Sequence, residues 1–317
     1  MDSFSWFIGG PYLYVCLLLF IVVTAKKVLA FATMPRHLRW DLYPVVPRGS
    51  AGSKYQQVDF YKVKQQVNLW DEFTYMFMEI LFIRKAFIYN PKVWKGSFPM
   101  HMGFYLSGAW LFLLIIGIIA EKTSGVVISP FNAGLGITAL YYLTVACGSL
   151  ALVAGLMGAL YLLYLRLADE DMKAMSDIPA YINLCLLTAL FGSGLWAWLT
   201  VDPTFALLRA HLADVFTFSS TKPLSTPLTA EIFFMGLFLA YLPFSRMNHY
   251  AAKYFFYHNI MWDDEPMKAG SELEKNVTAS LGGKLSWSAP HIKQNQSWLA
   301  QVSPDSAAAG KEGTDKK

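Results

Sequence analysis

Five runs of apolar residues, at about 12–32, 101–120, 138–167, 178–200 and 228–248, are each long enough to cross a hydrocarbon layer as a helix. A helix closes its own backbone hydrogen bonds, which is what a solvent without water demands of a spanning segment. The composition agrees: 55% of the 317 residues are hydrophobic and only 15% are charged, against about 25% charge in an ordinary soluble domain. One aqueous core cannot absorb that much apolar surface. The chain is therefore read as an all-α membrane protein built on a five-helix transmembrane bundle. Its third run holds Gly148, Gly155 and Gly158, which predict close contact with a neighbouring helix or a tilt. The first eleven residues lack the basic start of a secretory signal, so the first run is expected to stay as a helix.

The basic residues predict the orientation. Twelve of the 26 Lys/Arg lie from Lys26 to Lys95, two (Arg166 and Lys173) at the end of the third run and its short link, and nine from Arg246 to the end, leaving three for the other links. Cytoplasmic loops concentrate Lys and Arg, so the N-terminus is expected in the periplasm and the C-terminus in the cytoplasm of an inner membrane. Residues 71–90, DEFTYMFMEILFIRKAFIYN, mix aromatic and apolar side chains with Glu72, Glu79, Arg84 and Lys85. An interfacial helix along the cytoplasmic face is the favoured reading, with a shallow re-entrant piece as the rival. His37, between Arg36 and Arg39, reads as part of a basic interfacial cluster. The transmembrane domain is placed at 1–262. Residues 263–317 turn polar and read as a solvated or disordered cytoplasmic tail. Within it Trp287, Trp298, Leu299 and His291 stand among polar neighbours, as residues for docking a partner or for packing on the bundle.

Several chemistries drop out. Cys16, Cys147 and Cys185 are scattered through apolar runs, so the chain's own thiolates supply neither an iron–sulfur cluster nor a structural zinc site. No phosphate-binding glycine loop, dinucleotide fingerprint or internal repeat occurs, and nothing points to nucleic acid.

Two of the six histidines are different in kind. His101 begins the second run and His249 follows the fifth, which puts them at the same depth in the predicted topology. Ionisable groups in membrane segments are costly and tend to face the bundle interior for a purpose. Two neutral imidazoles on facing helices supply the axial ligands of a six-coordinate b-type haem; the bland alternative is that each anchors a helix at the interface. Gly103 would leave room beside His101, and Lys95, Arg246 and Lys253 are cations at the rim where haem propionates need them.

The stretches GSFPMHMGFYLSGAWLFLL and LAYLPFSRMNHYAAKYFFYHNIMWDDEP resemble the second and fifth helices of the gamma subunit of respiratory nitrate reductase. They are more similar still to the cytochrome b subunits of the Tmc, Hmc and Dsr redox complexes of sulfur-metabolising bacteria, the Tmc type foremost. The likeness covers the five-helix core, about two-thirds of the chain, and is weakest in the first link. It implies that His101 and His249 ligate one haem b on the cytoplasmic side. The family's second, outer haem takes histidines at positions that here are Leu111 and Glu231, about 15 Å and about 27 Å along their helices from the first pair. One haem b is therefore expected. His211, in the outer link, has no histidine partner on that side and reads as a loop or interfacial residue.

The resemblance further implies electron transfer between the menaquinone pool and a cytoplasmic iron–sulfur subunit like the catalytic subunit of heterodisulfide reductase, with a periplasmic multihaem cytochrome c in the same complex. Quinone has two candidate pockets, one at Glu231 and one beside the inner haem at Phe104 and Tyr105, and the sequence does not choose. His258 lies nine residues past His249, which turns the two rings to opposite helix faces, and is assigned to partner contact. The rival from another class is a haem-free membrane scaffold or transporter-like protein. Transporters usually break their helices or place polar groups at midplane, and the inner parts of these runs are nearly free of charge.

Overall fold

A computed structural model describes residues 2–33, 69–131, 134–219, 223–261 and 269–303. The basic cluster expected around His37 lies outside them. The described residues are helical with no β-strand among them. In chain order the helices are α1 (Ser3–Thr33, with a π-helical turn at Ile8–Tyr12), α2 (Leu69–Phe82), α3 (Arg84–Tyr89), α4 (Pro91–Ser124), α5 (Leu135–Ala168) and α6 (Glu170–Ala174). They continue with α7 (Ile178–Thr200), α8 (Ala206–Phe216), α9 (Thr226–Tyr241), α10 (His249–Met261), α11 (Glu272–Leu281) and α12 (Trp298–Val302). Five of these, α1, α4, α5, α7 and α9 with its 3₁₀ extension to Phe244, are long and apolar enough to cross a membrane. The chain is a multi-pass membrane protein with the all-α bundle its apolar runs predict.

Two compact units emerge: residues 1–25 with 75–248, and residues 26–74 with 249–317. The first is the bundle. Its last span is interrupted near the end by Pro243. With no N–H to donate, it turns the end of α9 into a 3₁₀ turn, and Ser245 then adopts an extended backbone at φ −92°, ψ 170°. The fifth span thus ends at Phe244, and His249 opens α10 instead of closing the fifth helix. His101 likewise does not open its helix. Asn90 caps α4 by accepting from Val93 N at 3.2 Å, and Pro91 occupies the first turn, so α4 starts ten residues earlier. At 34 residues each, α4 and α5 are about 51 Å long, well beyond a hydrocarbon layer of about 30 Å.

The α4–α5 pair packs backbone to backbone. A Cβ on Gly103 would meet the Cα of Gly155 at 2.6 Å, and one on Gly158 would strike the backbone at Gly96 and Met100. The glycine-rich third run therefore does what its sequence predicts. The space at Gly103 is filled by α5 and does not open beside His101, a correction to the sequence reading, because position 103 is turned to the helix partner. Around this seam the core gathers Trp110, Leu114, Leu152, Phe191, Phe205, Leu208, Leu212, Leu228 and Ile232.

Between the fourth and fifth spans the sequence suggests a loop, but α8 is a buried helix. Asp202 accepts from Leu207 N at 3.1 Å and Leu208 N at 2.8 Å, satisfying first-turn donors. Phe205, at φ 55°, turns its ring against Trp110, with centroids 4.6 Å apart. Arg209, only 5% exposed, pairs with Glu121 of α4 at 2.9 Å.

Residues 269–303 of the tail are more ordered than their composition suggests. Ser271 Oγ accepts from Glu274 N at 3.1 Å and starts α11, a capping arrangement written in the sequence as S-x-x-E. Beyond it, Leu285 N donates to Gln296 O at 3.0 Å and Asn295 N to Leu285 O at 2.8 Å, closing a turn that buries Leu285 and Ile292.

Gly103→Val is expected to lower the thermal unfolding midpoint in detergent, at a cost of about 1–3 kcal/mol from overpacking. Gly108→Ala, where a Cβ meets nothing within 4 Å, should leave the midpoint unchanged or slightly raised. Equal effects at the two glycines would contradict the seam.

Candidate functional site

His101 is the eleventh residue of α4 and is half-buried. Its Nδ1 lies 2.7 Å from the carbonyl oxygen of Ser97, one turn earlier. A carbonyl only accepts, so Nδ1 carries the proton and Nε2 is the nitrogen with the lone pair. This is the arrangement by which a backbone carbonyl fixes the tautomer and orientation of a metal-ligating imidazole. The donor chemistry of His101 therefore suits a haem iron.

His249, in the second unit, is exposed on the first turn of α10. His258 lies on the same helix two and a half turns further on, as its spacing requires. Of the three expected propionate cations, Lys95 is exposed and Lys253 half-buried. Arg246 pairs with Asp177 at 2.5 Å. Asp177 also caps α7 by accepting from Ala180 N at 3.2 Å, so the arginine of the PFSR motif ties the end of the fifth span to the start of the fourth.

The quinone candidates fare differently from one another. Phe104 stacks on Phe238 at 5.5 Å and meets Phe191 edge-on at 5.2 Å, which makes it part of the packed core. Tyr105 donates its hydroxyl to the carbonyl of Ile80 at 2.5 Å. Glu231 is 8% exposed, and no hydrogen bond or ion pair holds it among the described residues. Its carboxyl lies against α7 at Gly194, where an added Cβ would sit 3.4 Å from Oε1. Leu111, the other position of the family's outer haem, is 45% exposed.

The segment at 71–90 consists of two helices joined at Ile83, whose φ of 51° is left-handed. Glu79 does not interrupt the apolar run from outside. It is buried, and Oε2 accepts from Lys85 N at 2.9 Å, so it caps α3 across the break. Trp94 Nε1 donates to Phe82 O at 2.8 Å and Tyr105 to Ile80 O, satisfying carbonyls at the end of α2. The apolar side chains Phe73, Phe77, Phe82 and Phe87 remain exposed along this segment. In the tail Trp287 and Trp298 are 48% and 37% exposed.

His211 lies far from a loop role. It is 4% exposed, and Nε2 finds no partner among the described residues. The ring sits under the π-turn at Gly9, where a Cβ would meet its Cε1 at 2.9 Å. The apolar spacing of Leu208, Leu212 and Val215 around it is the sequence signal that marks α8 as an embedded helix.

Among the described residues no group of three or more His, Cys, Asp or Glu gathers in a way that would hold a metal ion. No family model, curated protein or solved structure matches the chain.

Burial holds the His211 imidazole below its ordinary 6.5, while Asp214 and the Gly9 backbone pull the other way. The folded state thus resists the proton that the unfolded chain accepts, and stability falls as pH drops below about 6.5. The unfolding midpoint of the purified protein should decline from about pH 7.5 to about pH 5.5, and decline less in His211→Gln. A midpoint that rises with acidification would contradict the buried neutral imidazole.

Proposed function

We propose that the chain is the haem b-containing membrane subunit of a respiratory redox complex, passing electrons between the menaquinone pool and a cytoplasmic iron–sulfur subunit. The observation that supports the reading is His101 on a membrane-crossing helix, its ring oriented by the Ser97 carbonyl at Nδ1. The family resemblance of the PFSRMNH stretch supplies His249 as the second axial ligand.

Haem b adds a one-electron carrier to a chain that has no redox group of its own. Held by the imidazoles of His101 and His249, a haem would leave no open site for oxygen or substrate, which would suit electron transfer. Lys95, Lys253 and Arg246 are the cations assigned to the propionates, Arg246 sharing its guanidinium with Asp177. The charge distribution supports an N-terminus in the periplasm and a C-terminus in the cytoplasm of the inner membrane. The α2–α3 segment, with its exposed phenylalanines, suits the cytoplasmic membrane interface.

The basic cytoplasmic segments, His258 and the exposed Trp287 and Trp298 are assigned to docking the iron–sulfur partner, which resembles the catalytic subunit of heterodisulfide reductase. A periplasmic multihaem cytochrome c completes the complex. Phe104 and Tyr105 have packing and hydrogen-bonding roles of their own, which favours the Glu231 end of the bundle for quinone.

Added menaquinol analogue should reduce a b-type absorption band in membranes carrying the wild-type chain. The band should be lost in His101→Ala and in His249→Ala. Retention of the band in both variants would overturn the ligand assignment.

A further inference from the structure

We propose that Glu231 is a proton-binding site inside the bundle, a carboxyl group that carries its proton at rest and exchanges it at the end of the bundle built around α8. The claim goes beyond the electron-transfer reading and stands without the haem.

Geometry carries it. Glu231 is the sixth residue of α9, on a helix of membrane-crossing length, and is 92% buried by its 8% exposure. Burial alone makes an unpaired carboxylate expensive, and the usual remedies are a cation or several hydrogen-bond donors. Neither is present. No hydrogen bond or ion pair holds the side chain among the described residues. Its carboxyl faces α7 at Gly194, a residue that brings no donor side chain.

The neighbouring groups are of the wrong sign to hold a carboxylate. Beyond the end of α7 stands Asp202, 3% exposed, its own carboxylate already receiving the Leu207 and Leu208 N–H groups of α8. Tyr12, in the π-turn of α1, donates its hydroxyl to Phe233 O at 2.8 Å. Helix α7 carries no charged residue. Arg209 of α8 is engaged by Glu121 at 2.9 Å. An ionisable residue placed in a membrane helix without a partner is a functional group by default, and protonation is the chemistry open to it. The step is a single transfer: the carboxylate takes up one proton from water reaching the α8 end and returns it there.

The test uses the full chain in liposomes treated with dicyclohexylcarbodiimide, a lipophilic reagent that adds to protonated carboxyl groups in apolar surroundings. Peptide mass mapping should place the N-acylurea adduct on Glu231, with the exposed carboxylates Glu170 and Asp171 unlabelled. The adduct should fade as pH rises and vanish in Glu231→Gln. Should Glu231→Gln fail to fold, the wild-type pH curve decides alone. An unlabelled Glu231, or labelling of it that does not change with pH, would overturn the proposal, whatever the haem measurements show.

Discussion

The close approach of α4 and α5 through facing glycines is the contact on which the rest of the bundle depends. In lipid, apolar side chains gain nothing by leaving their solvent, so two helices hold together by packing and by short backbone distances. Gly103 against Gly155, and Gly158 against Gly96, let two helices of 34 residues run together along their length. That seam sets which way every other position of α4 points. Trp110 is directed to Gly148 and Phe205 of the α8 cap, while Leu111 looks outward.

The second constraint is the cost of leaving helix ends unsatisfied in or near a membrane. Several of the breaks among the described residues are closed by a particular side chain. Asn90, Asp177 and Asp202 accept from the first turns of α4, α7 and α8; Glu79 does the same for α3 across the left-handed Ile83. Trp94 and Tyr105 reach carbonyls at the end of α2. Several residues that stand out in the sequence as polar or aromatic oddities are thus the fittings that let short helices lie against long ones.

This explains how much could be read in advance. The five spans and the glycine seam were legible because their signals are long or periodic, and apolar length is decisive when lipid is the solvent. Helix ends were less so. His101 looked like the start of a helix because hydropathy begins there, yet a helix is limited by caps and not by apolarity, and Asn90–Pro91 lie ten residues upstream. The break at Pro243 was visible as a residue but not as an outcome, since membrane helices often tolerate proline. Helix α8 was hidden by Arg209 and His211, which give its sequence a polar look although both are buried. At the site, the sequence singled out His101 and Glu231 for their residue types. It was silent on what distinguishes them: the carbonyl that orients one and the missing partner of the other.

The proposed function assigns His101 and His249 to one haem b, the second through the family resemblance of the PFSRMNH stretch. Pyridine haemochrome analysis of the detergent-purified chain, set against its peptide concentration, addresses that claim most directly. The account predicts about one haem b per polypeptide. Absence of haem would contradict it and favour a haem-free membrane anchor, and a value of about two would contradict it by requiring a second ligand pair that Leu111 and Glu231 do not supply.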